Sequence, residues 1–226
     1  PHHGFVAPDM FIPLAEQAGL INSLTEWVVA AVIRQLGEWQ QQDFHAQVAV
    51  NLSAQDLSRE HLLEHINTLL QRHEVKPESI SFESTESEIM RDARAAIQLL
   101  EKFRAQGFHL AIDDFGTGYS SLSQLKNMPV TELKIDRSFI AQMNRSTSDY
   151  RIVENTVKLA RALQIQTVAE GVEDAATMEQ IERLGCGRVQ GFYLGKPMPL
   201  TQFREWVLRR PDYSVAGMLL QPVSES

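Results

Sequence analysis

Two hydrophobic spacings alternate along the chain. Between Ser23 and Gln42, Leu24, Trp27, Val28, Ala31, Val32 and Trp39 recur at helical intervals, which predicts an amphipathic helix. Ser23 and Glu26 stand at its start with the spacing of a capping box. Gln47–Ser53 then reads as a strand. Leu57–His73, carrying Leu62, Leu63, Ile66, Leu69 and Leu70, reads as a second helix. The alternation continues with a strand over Ser79–Thr85, a helix over Asp92–Gln106 stopped by Gly107, and a strand from His109. A short helix leads into a strand over Glu132–Asp136 and a helix over about Asp149–Leu163. Strand Gln166–Val172, helix Ala175–Leu184, strand Arg188–Leu194 and helix Thr201–Leu208 complete the series. Ahead of it, Pro1, Pro8 and Pro13 mark a loop entering a short helix. After it, Pro211–Ser226 has weak periodicity and reads as a tail.

Six strands alternating with helices predict a parallel sheet of the α/β class, either open or closed into a barrel. The polar positions separate the two. Asn51, Glu83, Asp113, Lys134, Glu170 and Gln190 each fall late in a strand of their own. In a barrel, the carboxyl ends of the strands form one rim on which several strands build a site together. An open sheet would string the same groups along a line. The pattern favours a barrel within one domain over residues 1–210, followed by the tail at 211–226.

The densest chemistry lies in Ala111–Ser121, where an apolar strand ends on Asp113 and Asp114 and runs into Phe115-Gly-Thr-Gly118. Adjacent strand residues face opposite ways, so both acids serve one site only if the chain turns, and Gly116 and Gly118 are expected to supply that turn. Paired acids beside a permissive loop suit one or two hard cations, Mg²⁺ or Mn²⁺. Glu83, Asp113, Asp114 and Glu170 at one rim would repel one another unless divalent ions neutralise them, with Asn51 as a neutral oxygen ligand. Lys134, inside the apolar run Leu133-Lys-Ile135, is hard to bury without a partner. At a rim it would orient a water or stabilise developing negative charge; a purely structural ion pair is the alternative. Two metals and a lysine suit phosphodiester hydrolysis. Paired carboxylates on a rim also describe glycosidases, but the strand-end aromatics that would stack on sugars are few, chiefly Phe115, Tyr119, Phe192 and Tyr193.

Composition narrows the partners. A formal net charge of −8 without a Lys/Arg run argues against a surface for duplex nucleic acid, though not against a small anionic ligand held through metal. The single cysteine, Cys186, excludes an internal disulfide framework and fits a reducing, cytoplasmic compartment. Trp27–Ile33, the longest apolar run, is too short to span a bilayer, and no secretory leader opens the sequence.

Taken together, Asn51-Leu-Ser, Glu83-Ser-Thr-Glu86-Ser, Asp113-Asp-Phe-Gly-Thr-Gly-Tyr-Ser-Ser, Leu133-Lys-Ile-Asp-Arg-Ser-Phe139, Ala169-Glu-Gly-Val-Glu173 and Gln190-Gly-Phe-Tyr resemble the motif series of EAL domains, in order, from about Pro1 to Pro199. The resemblance implies a modified, TIM-like (β/α)₈ barrel that hydrolyses the bacterial second messenger cyclic di-GMP to linear pGpG with Mg²⁺ or Mn²⁺. It implies that Asn51, Glu83 and Asp113 ligate one metal, and that Asp113, Asp114 and Glu170 serve a second. Lys134, with Glu170, would position or deprotonate the attacking water. Glu86 would hold the loop after Asp114, while Glu173 and Gln190 would complete the site. It further implies a homodimer and a parent protein with an upstream sensor or GGDEF-type domain, cytoplasmic or tethered to the inner membrane.

Two departures qualify the resemblance. Ser84 replaces a usual aliphatic residue and should point away from Glu83, so its effect falls on packing. The Glu-Ala-Leu tripeptide is absent, and Pro1–Val6 resembles the segment just downstream of it. About six of eight strands are therefore expected in this chain, without the first glutamate ligand. A cyclic di-GMP-binding module without turnover is the alternative to an enzyme.

Overall fold

In the computed structural model, which describes residues 6–59, 61–117 and 122–209, six strands lie side by side in chain order. Helices α1 (Pro8–Gln17) and α2 (Ile21–Gln40) precede β1 (Val48–Asn51). Helix α3 (Leu62–His73) leads to β2 (Ile80–Thr85), followed by α4 (Glu86–Arg91), α5 (Ala93–Ala105) and β3 (His109–Phe115). Next come α6 (Leu122–Asn127), β4 (Glu132–Ile135), α7 (Arg137–Gln142) and α8 (Thr147–Ala162). Strand β5 (Gln166–Ala169), α9 (Ala175–Leu184), β6 (Arg188–Val189) and α10 (Leu200–Leu208) complete the order. Every strand pairs in parallel with its sequence neighbour, as the alternation requires. The result is a half-barrel: among the described residues no strand pairs with the outer edge of β1 or β6.

Side-chain alternation splits the sheet into two chemistries. Val48, Val50, Ile80, Phe82, Leu110, Ile112, Leu133 and Ile135 face the helices and join one apolar core. Phe82 of β2 packs against Phe103 of α5 and against Phe108, with ring centroids 4.8 and 5.3 Å away. That contact turns the other face, with Glu83, Lys134 and Glu170, inward. The helix layer also joins the two ends of the sheet. Trp39 of α2 meets Phe203 of α10 at 6.0 Å, and Phe44 meets Phe203 at 6.4 Å. Each such buried aromatic contributes about 1.5–3 kcal/mol of apolar burial.

Several boundaries differ from the sequence expectation. Helix α2 starts at Ile21 and has no side-chain cap, so Ser23 and Glu26 form no capping box. A capping box does occur at Thr85 and Glu88, where it opens α4, a helix the periodicity did not reveal. The buried stripe of α2 runs through Thr25, Val29, Ile33 and Leu36, which leaves Trp27 exposed. Thr25 is drawn inward because its hydroxyl donates to the fully buried Asp56 at 2.8 Å. The helix expected from Leu57 begins at Leu62, after a single 3₁₀ turn over Asp56–Ser58. The tail at Pro211–Ser226 and Gly118 to Ser121 lie outside the described residues.

Strand β6 is shorter than Arg188–Leu194 because Gly191 lies against the backbone of Val172, after β5. A Cβ at position 191 would sit 2.1 Å from the Val172 carbonyl oxygen and 2.4 Å from its nitrogen. Gly191→Ala should therefore destabilise the domain by about 1–3 kcal/mol, read as a lower thermal midpoint. An unchanged midpoint would show that this close approach is not required.

Candidate active site

Lys134 is the centre of the rim. Its side chain is fully buried, and its Nζ lies 2.7 Å from Glu83 Oε2, 2.9 Å from Asp113 Oδ1 and 2.8 Å from Glu170 Oε1. Three oxygens from β2, β3 and the end of β5 thus meet the three protons of one ammonium. Burial alone would favour the neutral amine, but the charges of Glu83, Glu170 and Asp113 outweigh it and hold Lys134 protonated, its pKa raised above the ordinary lysine value.

Strand β3 delivers two acids to the same place by a backbone irregularity. Pairing with β4 shifts register between Ile112 and Phe115, and Asp114 sits there at φ +51°. The kink begins on Asp114 itself and continues at Gly116, at φ +99°, as the sequence led one to expect of that glycine. Aspartate tolerates this left-handed conformation better than most residues, at a cost of about 1 kcal/mol. Asp113 Oδ1 accepts the Asp114 backbone N–H at 3.0 Å and steadies the turn. Oxygens of Asp113, Asp114 and Glu170 then lie within 4.8 Å of one another.

The other sequence candidates distribute around this centre. Asn51 ends β1 in register with Glu83 and is exposed. Glu86 is buried in the first turn of α4. Gln190 is half-buried beside the end of β5, where its N–H bonds the Ala169 carbonyl, and Glu173 is exposed. Ser84 points away from Glu83, as expected, and its hydroxyl donates to the Leu52 carbonyl at 2.9 Å, a bond that an aliphatic residue there could not make. Two further acids matter that site-residue reasoning passed over. Asp136, two residues beyond Lys134, helps raise the Asp114 carboxyl and caps α7 by accepting the Ser138 N–H at 2.9 Å. Its position at the end of the Lys-Ile-Asp run was the available signal. Asp56 accepts from the Ser53 N–H at 3.0 Å and from the Ser53 and Thr25 hydroxyls, which anchors the loop after Asn51 to α2. No periodicity points to that bond.

One ammonium cannot balance this many carboxylates. Burial, and then the charges of Asp113 and Glu170, push Glu83 up to about 7 despite its bond to Lys134. Burial also raises Glu170, and burial with the Asp113 charge pushes Asp114 up to about 6. Burial acts the same way on Asp136, but the Ser138 bonds outweigh it and hold that carboxyl low. Glu83 keeps one buried oxygen, Oε1, with no hydrogen-bond partner. Hard oxygen donors with surplus negative charge fit Mg²⁺ or Mn²⁺.

The family model described as the EAL domain matches residues 1–197. The chain belongs to the EAL domain family. It is 46% identical over 204 residues to the bifunctional diguanylate cyclase/cyclic di-GMP phosphodiesterase MucR of Pseudomonas aeruginosa, covering 89% of this chain and 30% of that protein. It is 35% identical over 209 residues to the cyclic di-GMP phosphodiesterase PdeR of Escherichia coli K12, covering 92% and 32% respectively. The EAL chain thus spans about a third of the length of these relatives. Among solved structures, the PaMucR phosphodiesterase in complex with c-di-GMP superposes with a TM-score of 0.83 at 45% identity. That match covers 90% of this chain and 83% of the other. The Xanthomonas citri FimX EAL domain in complex with c-diGMP matches at 0.82 and 26% identity, over 88% of this EAL chain and 79% of that one.

The electrostatics of the EAL rim give a pH prediction. Glu83 binds its proton more tightly folded than unfolded, so its contribution to stability is complete below about pH 4.5 and is lost as pH rises through about 7. Asp114, Glu132 and Glu170 act in the same direction. The thermal midpoint of metal-free protein should fall across that window, and Glu83→Gln should flatten the fall. Equal slopes in the two proteins would contradict the assignment.

Proposed function

We propose that this EAL domain hydrolyses cyclic di-GMP to linear 5′-pGpG with Mg²⁺ or Mn²⁺ bound at its rim. The reading rests on one observation above all: a fully buried ammonium held by Glu83, Asp113 and Glu170, with Asp114 beside them. Asn51, Glu83, Asp113, Asp114 and Glu170 are the residues that would hold the ions. The ions would neutralise the rim and polarise the phosphodiester. Since the product keeps its phosphate on the 5′ oxygen, water oxygen bonds to phosphorus and the P–O3′ bond breaks. Lys134 already carries its proton, so it positions the water and balances developing negative charge rather than taking a proton. Glu170, raised by burial and 2.8 Å from Lys134, is the better acceptor for the proton that water gives up, and the departing O3′ takes up a proton from solvent to leave as the hydroxyl. Gln190 and Glu173 border the substrate's side of the rim, and Glu86 supports the segment following Asp114.

A cyclic di-GMP receptor without turnover is the second reading. Around either activity, the domain would act in the cytoplasm as a homodimer within a longer protein carrying a sensor or GGDEF-type domain. The relatives support the longer protein alone: the chain covers 30% of MucR and 26% of the E. coli oxygen sensor protein DosP.

Incubation of cyclic di-GMP with the protein and Mg²⁺ or Mn²⁺, resolved by anion exchange and mass spectrometry, separates the readings. Linear pGpG is the predicted product. Lys134→Ala and Asp113→Ala should each lower the rate by at least about 100-fold. Wild-type rates in either variant would overturn the site. Nucleotide that is bound but uncut by the wild-type protein would favour the receptor.

A further inference from the structure

Below the rim lies a second buried charge cluster that the hydrolytic scheme does not use. Glu132 stands two residues before Lys134 on β4, on the same inward face, and is 3% exposed. Its Oε2 accepts from Arg188 Nη1 of β6 at 2.7 Å, while its Oε1 has no partner. The same Arg188 nitrogen donates to Gln47 Oε1 at 3.0 Å, next to the start of β1. One guanidinium therefore spans the interior from β6 to β4 and to the β1 side of the sheet. Its charge is felt nearby: burial first, and then Arg188, keep the His109 imidazole below its ordinary pKa.

Glu132 is a competitor for Lys134. A buried carboxylate with a free oxygen, one strand repeat from an ammonium, is attracted to it, and that attraction is strong in a low-dielectric interior. Lys134 can hold Glu83, Asp113 and Glu170 together only while its three protons are not drawn down to a fourth acid. We propose that Arg188 is a positioning residue: by binding Glu132 it keeps the Lys134 ammonium committed to the rim carboxylates. This rests on the reading of Lys134 as the organiser of the metal-binding rim. Gln47 fixes Arg188 from the far side, which sets the guanidinium over Glu132 rather than free in the cavity.

The test uses the 226-residue protein and its variants Arg188→Ala, Glu132→Gln and the two combined. One readout is the ¹⁵Nζ–H signal of the Lys134 ammonium in ¹⁵N-lysine-labelled protein. The others are the affinity for Mn²⁺ alone and kcat and KM for cyclic di-GMP. Arg188→Ala should shift or broaden the lysine signal and weaken Mn²⁺ binding and kcat by about 10-fold or more, with KM little changed. Glu132→Gln alone should leave all three near wild type. Added to Arg188→Ala, it should restore them, because the competing charge is gone.

A purely structural clamp predicts the opposite: the double variant no better than Arg188→Ala. That result, or an unmoved lysine signal in Arg188→Ala, would overturn the proposal. If Arg188→Ala does not fold, recovery of folding in the double variant supports charge competition, and joint failure overturns it. Should the wild-type protein cleave nothing, the hydrolytic reading falls, but the lysine signal and Mn²⁺ affinity still decide the role of Arg188.

Discussion

A buried ammonium with three carboxylates around it constrains everything else in this half-barrel. Lys134 has no solvent, so its charge persists only because Glu83, Asp113 and Glu170 reach it from three separate strands. Those strands must then be held in a fixed register, which apolar packing on the outer face provides. The converse also holds. Removing the ammonium would leave carboxylates facing one another, unbalanced, in a low-dielectric interior. Four carboxylates around one ammonium leave the cluster anionic, and the proposed binding of a phosphodiester there calls for cations.

The backbone carries part of this arrangement. A regular strand would send Asp113 and Asp114 to opposite faces; the register shift in β3 and the left-handed turn at Asp114 bring both to the rim. The ends of β5 and β6 are coupled by the contact between Gly191 and Val172, which holds Glu170 and Gln190 on neighbouring strands. Beneath them the Glu132–Arg188–Gln47 chain crosses the interior, and outside them Trp39, Phe44 and Phe203 join α2 to α10. Among the described residues the sheet is open between β1 and β6, yet its two sides are tied together both inside and outside.

Much of this was legible in the amino-acid sequence. The alternation of spacings located all six strands and placed one polar group late in each, and the rim gathers Glu83, Asp113, Asp114, Lys134 and Glu170 as the barrel argument required. What periodicity could not supply were interactions between residues remote in sequence. Thr25 turns inward because of Asp56, thirty-one positions away, and this rotates α2 so that Trp27 is exposed. The turn was legible at Gly116, but its first residue, Asp114, kinks where pairing with β4 shifts register, which no local pattern shows. Arg188 reads locally as the polar start of a short strand; its bonds to Glu132 and Gln47 exist only in three dimensions. Capping boxes show the same limit, since Ser23-x-x-Glu26 and Thr85-x-x-Glu88 look alike and only the second forms.

The central claim is that the carboxylates around Lys134 make a site for divalent metal. Anomalous-scattering crystallography of the protein soaked with Mn²⁺ tests it most directly. The account predicts density between Asp113, Asp114 and Glu170, with a second ion within about 4 Å toward Glu83 and Asn51. Mn²⁺ bound only elsewhere on the surface, with the rim carboxylates still closed on Lys134 alone, would contradict it.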